Sequence, residues 1–277
     1  MKKILTIQDI SCIGQCSLTV ALPIISACGV ECCIMPTAVL STHTYKFNNY
    51  TFLDLTNEMS KIAKHWQEQN FSFDSIYTGY IGSVEQIGII DKMFADFGKD
   101  AKIVIDPVMA DGGVLYTGFT PAFVKEMAKL IKKADIIVPN LTEASFLLDI
   151  PYVEKGYDRR YIENLCRSFT KLTNADVVLT GVSFEEDKLG VCVYNHAKDC
   201  VYYYFQNKID IAMHGTGDVY ASCLVGSLMR GKSLNESASI AVDYTVECIK
   251  QTIPDKSHWY GVEFEKAMPY LVERLNK

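Results

Sequence analysis

The chain has 277 residues, is 49% hydrophobic and 22% charged, and carries a net charge of −6. That length allows one large α/β core or two smaller ones. The acidic balance and the lack of a basic block disfavour a nucleic-acid surface. No apolar run approaches the roughly 18 residues that a membrane helix needs. The first apolar segment is interrupted by Gln8 and Asp9, so no signal peptide is expected. Ten cysteines without a CxxC pair suit reduced thiols of a cytoplasmic protein better than a zinc site.

Lys3 to Ile7 reads as a buried strand ending at Gln8-Asp9. A helix from Gly14 to Cys28 closes at Gly29, a good left-handed cap. Val30 to Met35 is a second strand, and helix from about Asp54 to Gln69 precedes a strand at Ser75 to Thr78. Ser83 and Gln86 form a capping-box signature, as do Ser233 and Glu236. Short strands at Lys102 to Ile105, Asp135 to Val138 and Asp176 to Leu179 alternate with helices at Thr120 to Lys133, Asn140 to Leu148 and Asp158 to Leu172. Gly190 to Tyr194 and Cys200 to Phe205 look like a hairpin, and helices at Asp218 to Arg230, Leu234 to Gln251 and Val262 to Leu275 finish the chain. Such alternation implies an α/β fold with a mainly parallel sheet covered on both faces. No repeat, low-complexity tract or linker divides residues 1–277, so one domain is expected.

In an open parallel sheet, ligands sit outside the carboxyl ends of the strands. Polar residues recur at those points: Asp9 and Ser11, His43 and Thr44, Thr78-Gly79-Tyr80, Asp106 and Asp111, Asn140 and Glu143, and Thr180-Gly181. Together they favour a polyanionic or metal-bound ligand. Each also has a plain structural reading. Asn140 and Glu143 are a helix-capping pair, Asp106 precedes a turn-forming proline, and Tyr80 can simply pack. Asp9 and Ser11 can hold a substrate hydroxyl or ring nitrogen, or cap the first helix. Hard cations such as Mg²⁺ take a few carboxylates plus phosphate oxygens, which Asp106, Asp111 and Glu143 would suit.

The last cluster is Met213-His214-Gly215-Thr216-Gly217-Asp218, leading directly into an apolar, helix-length run. Glycines there allow a tight turn and close approach of backbone N–H groups to an anion at a helix N-terminus. An acid would repel a phosphate held in that turn, yet it suits a general base for a hydroxyl attacking phosphorus. Helix capping is the plainer alternative. There is no GxxxxGK[ST] and no G-x-G-x-x-G after the first strand, so neither a P-loop nor a dinucleotide fold is supported.

Gly215-Thr216-Gly217-Asp218, Asn140-x-x-Glu143 and Asp106-Pro-Val-Met-Ala-Asp111 together resemble the ribokinase-like superfamily of small-molecule kinases. Within it, Ser41-Thr-His-Thr44 and Thr78-Gly-Tyr80 are similar to stretches of pyridoxal (pyridoxine, pyridoxamine) kinases. The resemblance covers nearly the whole chain and implies a three-layer α/β/α sandwich. It implies ATP and Mg²⁺ as cofactors, with a monovalent cation such as K⁺ as a further candidate, a B6 vitamer as substrate, and a homodimer. By the same resemblance, Asp218 is the base for the 5′-hydroxyl, and the backbone of Gly215, Thr216 and Gly217 holds the transferring phosphoryl group. Asp106, Asp111 and Glu143 position metal and phosphates, with Asp106 and Glu143 as the metal ligands. Asn140, Thr180 and Gly181 line the ATP side; Asp9, Ser11, His43, Thr44 and Tyr80 line the substrate side. The chain departs from the pattern with Asp9 where many members have Ser, Ala110 for the usual Gly, and Gly181 where several carry Ser. Relatives acting on hydroxymethylpyrimidine carry Cys in place of Asp218. The expected activity is therefore phosphorylation of the 5′-hydroxyl of pyridoxal or a close vitamer. The alternatives are another acceptor, such as hydroxymethylpyrimidine, and a vitamer-binding protein without transfer activity.

Overall fold

The computed structural model describes residues 1–211 and 213–277. Eleven strands appear among them: β1 Lys3–Ser11, β2 Glu31–Leu40, β3 Phe52–Asp54, β4 Ser75–Thr78, β5 Lys102–Ile105, β6 Ala110–Asp111, β7 Val114–Leu115, β8 Ile136–Ile137, β9 Asp176–Val182, β10 Lys188–Asn195 and β11 Cys200–Asn207. The α-helices are α1 Leu18–Ala27, α2 Thr56–Glu68, α3 Val84–Phe97, α4 Pro121–Leu130, α5 Leu141–Leu148, α6 Arg159–Ser168, α7 Thr216–Met229, α8 Leu234–Thr252 and α9 Phe264–Leu275. Nine strands form one sheet in the order β11-β10-β9-β8-β5-β4-β1-β2-β3. The run from β2 through β1, β4, β5 and β8 to β9 is parallel, with antiparallel strands at both edges. The three-layer α/β/α architecture expected from the sequence is the observed one.

The central strands are buried on both faces and carry apolar residues to each, because each faces helices on both sides. Leu5, Ile7, Ile76 and Ile105 pack with α2 to α6, whereas Ile4, Tyr77 and Val104 pack with α1, α7, α8 and α9. Helix α7 has no polar stripe, and Val219 to Ser227 are all buried, as a helix enclosed on every side requires. Its small residues permit close packing: a Cβ on Gly226 would lie 2.6 Å from Cys28 Sγ of the α1 C-cap. All ten cysteines are free thiols. No described helix is long and apolar enough to cross a membrane.

Several boundaries differ from the sequence reading. Strand β1 continues past Gln8-Asp9 to Ser11, with a register shift against β2 between Gln8 and Ile10. The first helix begins at Leu18 rather than Gly14, since Gln15 and Ser17 adopt positive φ. The Ser83 box is only half made. Ser83 accepts the Gln86 N–H, but the Gln86 side chain turns to Gly82 N and to Thr37 O and Thr56 Oγ1. Its Oε1 accepts the Gly82 N–H in place of that of Ser83, while its amide donates to buried acceptors on β2 and α2. Strands β3, β6 and β7 are too short to have shown a period.

Strand order reverses between β1 and β4, so the crevice at their carboxyl ends is where a ligand belongs. The ends of β1, β4, β5 and β9, together with the N-termini of α5 and α7, converge on it.

Candidate active site

Asp218 lies in the first turn of α7 and is joined to the opposite wall of the cleft. Its Oδ2 accepts the N–H of Ser17 at 3.0 Å. Ser17 holds φ 52°, a conformation that non-glycine residues keep only where their surroundings enforce it. Gly215 caps α7 at φ 81°, and a Cβ there would fall 2.1 Å from the Gln15 carbonyl oxygen. Only glycine fits this approach. Thr216 turns its hydroxyl back to the Met213 carbonyl, 3.3 Å away. Beyond its own helix and chain neighbours, no atom lies within 4 Å of where a Gly217 Cβ would be, so the first turn of α7 has open space at its side there. Burial, and then the charge of Asp9, pushes the Asp218 carboxyl up to about 6.

Asp9 and Ser11 stand near Asp218, both buried, with Ser11 Oγ donating to Asp9 Oδ2 at 3.0 Å. His43 is buried and fixed at both nitrogens. Nδ1 accepts the Tyr45 N–H at 3.1 Å, so the ring proton sits on Nε2 and is donated to Tyr260 O at 2.7 Å. An aromatic cluster continues from it. His214 lies 4.1 Å from the His43 ring and stacks on Tyr45 at 5.1 Å and 3°. Phe47 bridges from His43 to Trp259. Tyr80 is half-buried against Phe119. Thr44 stays exposed at the rim.

The second half of the crevice is built on α5. Asn140 and Glu143 form a complete capping box, so the structural reading of that pair holds. The same atoms do more. Glu143 Oε1 also accepts the Met109 N–H at 2.8 Å, and Asn140 Nδ2 donates to Ala110 O at 2.8 Å. Thr142 Oγ1 accepts the Gly113 N–H. The loop after β5 is thus strapped to α5, with Val108 held at φ 37°, an outlier for a β-branched residue. Asp106 ends buried near Glu143. Burial, and then the charges of Glu143 and Asp218, raise the Asp106 carboxyl well above its ordinary range; burial pushes Glu143 up to about 7. Thr180 bridges to Asn140, with its hydroxyl 3.4 Å from Pro139 O, and Gly181 is exposed at φ 76° with open space around it.

Asp111 does not join Asp106 and Glu143 as an inward third acid; it is exposed and accepts the Gly112 N–H. Among the described residues no three His, Cys, Asp or Glu side chains gather into a metal cage. The buried pair Asp106 and Glu143 nevertheless suits a hard divalent cation. Their mutual repulsion would reverse to attraction, and phosphate oxygens and water would complete the shell.

Three contributors escaped the sequence reading. Ser17 acts through a backbone N–H, which no side chain advertises. Tyr116 stands within the field of Glu143, Asp111, Asp106 and Asp218. His214 belongs in sequence to the glycine turn, and its ring meets Tyr45 and His43.

The profile of the family described as phosphomethylpyrimidine kinase matches residues 21–262. The chain belongs to that family. This phosphomethylpyrimidine kinase family member is 39% identical to a protein from Bacteroides thetaiotaomicron provisionally described as a phosphomethylpyrimidine kinase. The two superpose with a TM-score of 0.93 over 98% of this chain and 93% of the other. A second crystal form of that protein, described as with pyridoxal, gives a TM-score of 0.91 over 98% and 95%. Pyridoxal kinase from Lactobacillus plantarum is 28% identical with a TM-score of 0.91, over 99% of this chain and 97% of that one. The expected likeness to pyridoxal kinases is therefore found. The chloroplastic thiamine biosynthetic bifunctional enzyme TH1 of Arabidopsis thaliana is 28% identical over 79% of this chain, which spans only 41% of that enzyme's length.

Proposed function

We propose that the chain transfers the terminal phosphoryl group of ATP to the 5′-hydroxymethyl group of pyridoxal or a related B6 vitamer, acting as one domain over residues 1–277 and as a homodimer. The observation that carries this reading is the placement of Asp218. It is a desolvated carboxylate in the first turn of α7, held by the Ser17 N–H and standing in the field of Asp9, with open space beside Gly217. The acceptor hydroxyl gives its proton to Asp218 as its oxygen bonds to phosphorus, and the bond from phosphorus to the bridging oxygen of the departing ADP breaks. The backbone N–H groups of Gly215, Thr216 and Gly217 and the α7 dipole stabilise charge on the transferring group. Asp106 and Glu143 would hold Mg²⁺, which when bound neutralises phosphate charge. Asn140 and Thr142 hold the loop that carries Asp106, and Thr180 and Gly181 line the nucleotide side.

The Bacteroides relative in its form with pyridoxal supports a vitamer as acceptor. Hydroxymethylpyrimidine is the second reading, supported by the family description itself. Release of ADP in the presence of ATP and Mg²⁺ should be compared for pyridoxal, pyridoxine, pyridoxamine and hydroxymethylpyrimidine. The largest kcat/KM should fall on a B6 vitamer; a clear preference for the pyrimidine would replace the first reading with the second. Binding of all four without ADP release would leave a non-catalytic binding protein.

A further inference from the structure

Serine is among the best helix caps, and Ser17 stands at the N-cap of α1 without capping it. Its carbonyl accepts the N–H groups of Val20 and Ala21 at 3.1 and 2.8 Å, so the helix starts there. Its hydroxyl makes no capping bond. An ordinary cap has an extended backbone, whereas Ser17 holds φ 52° and ψ −132°. That combination is open to glycine and costly for a residue with a Cβ. Neither the dihedrals nor the hydroxyl bond of a cap is kept.

Both are turned to the cleft instead. The Ser17 N–H donates to Asp218 Oδ2 at 3.0 Å, and the hydroxyl stands against Asp9. Burial raises both carboxyls. The Ser17 N–H draws Asp218 back, and the hydroxyls of Ser17 and Ser11 draw Asp9 back. A single residue, 5% exposed, thus serves two buried acids from different ends of the chain.

The strain is enforced from outside. A Cβ on Gly14 would fall 2.1 Å from His43 Cδ2, one on Gly215 2.1 Å from the Gln15 carbonyl oxygen, and one on Gly261 2.5 Å from Gln15 Cβ. Gln15 Nε2 also donates to Glu265 Oε1 at 2.9 Å. The loop of His43, the cap of α7 and the approach to α9 therefore all press on residues 14 and 15. Such surroundings are what keep a non-glycine residue in a sparsely populated region, and strain of this kind gathers at working sites.

We propose that Ser17 is a positioning residue for phosphoryl transfer: its amide and hydroxyl hold Asp218 and Asp9 in one arrangement, and its forced backbone keeps the amide aimed at Asp218. With Oδ2 engaged, Oδ1 is left for the acceptor's proton. The inference rests on the reading that Asp218 is the base.

Ser17→Gly and Ser17→Ala both remove the hydroxyl and differ only in the Cβ, so together they separate strain from function. Melting temperatures are measured on the full chain, and kcat and KM with ATP, Mg²⁺ and whichever acceptor the wild type turns over fastest. Ser17→Gly should melt above Ser17→Ala, because glycine occupies φ 52° without strain. Turnover should run the other way. Both variants should lose kcat, and Ser17→Gly should lose more, ~10-fold or beyond, because its amide is no longer held on Asp218. KM for both substrates should stay within about twofold of the wild type, as when an interaction serves only the transition state. Wild-type kcat in Ser17→Gly overturns the proposal, as does a loss confined to KM, turnover that follows stability, or Ser17→Gly no more stable than Ser17→Ala. Should Ser17→Ala fail to fold, kcat and KM of Ser17→Gly still decide. Failure of the kinase reading looks different, since the wild type then releases no ADP with any acceptor. A crystal structure of Ser17→Gly judges the proposal in that case: an amide at position 17 beyond roughly 3.5 Å from the Asp218 carboxylate supports it, and an unmoved pair overturns it.

Discussion

The two halves of the cleft are assembled by opposite means. The half around Asp106 and Glu143 is local and tightly strapped. A capping box on α5, one further carboxylate bond to Met109 and the Asn140 amide fix a single loop. The half around Asp218 is assembled across the chain. Its base is held by Ser17, 201 residues away in sequence, and its glycine cap rests on Gln15. The first arrangement suits a constant partner such as a metal-bound triphosphate. The second suits a variable acceptor, because three separate loops can change without disturbing the strapped half.

Asp218→Asn should break the acceptor half most severely. The asparagine oxygen can still accept the Ser17 N–H, yet it takes no proton, so kcat should fall by about 10²–10⁴. Near-normal turnover in steady-state assays would remove Asp218 as base. Asp106→Asn tests the strapped half. It should raise the Mg²⁺ concentration for half-activation by ~10–100-fold, while the acceptor KM stays near that of the wild type; a Mg²⁺ titration at saturating acceptor checks this. The smallest effect is a pH limb. Asp218 must be ionised to accept a proton, and its carboxyl is pushed up to about 6. Hence kcat/KM should be level above pH 6 and fall about tenfold for each unit below it. A limb near the ordinary carboxylate range, around pH 4, would show that the base is not desolvated in the working enzyme.

The donor half was the more legible of the two in the sequence, because capping is written in side chains three residues apart. Asn140 and Glu143 could be read as a cap and as site residues, and they are a cap that also positions a loop. The layered fold was equally legible from alternating strands and helices. The ends of elements were not. A strand that bulges at Asp9, a helix that starts four residues late at Leu18, and an exposed Asp111 all depend on tertiary contacts. The same is true of the Tyr45 and His214 stack, whose partners lie 169 positions apart with no periodic pattern between them.

Loop 12–17 runs on directly from Asp9 and Ser11 and ends at the amide that steadies Asp218. Under the proposed function, recognition of the acceptor and its deprotonation are thereby carried on one short ribbon of backbone. Natural drift at the tip of β1 cannot retune the choice of acceptor without also disturbing turnover. Tyr45 hangs on a loop of its own, whereas His214 adjoins the Gly215 cap of α7, so Tyr45 is the position from which a new acceptor preference could be engineered at little expense to rate.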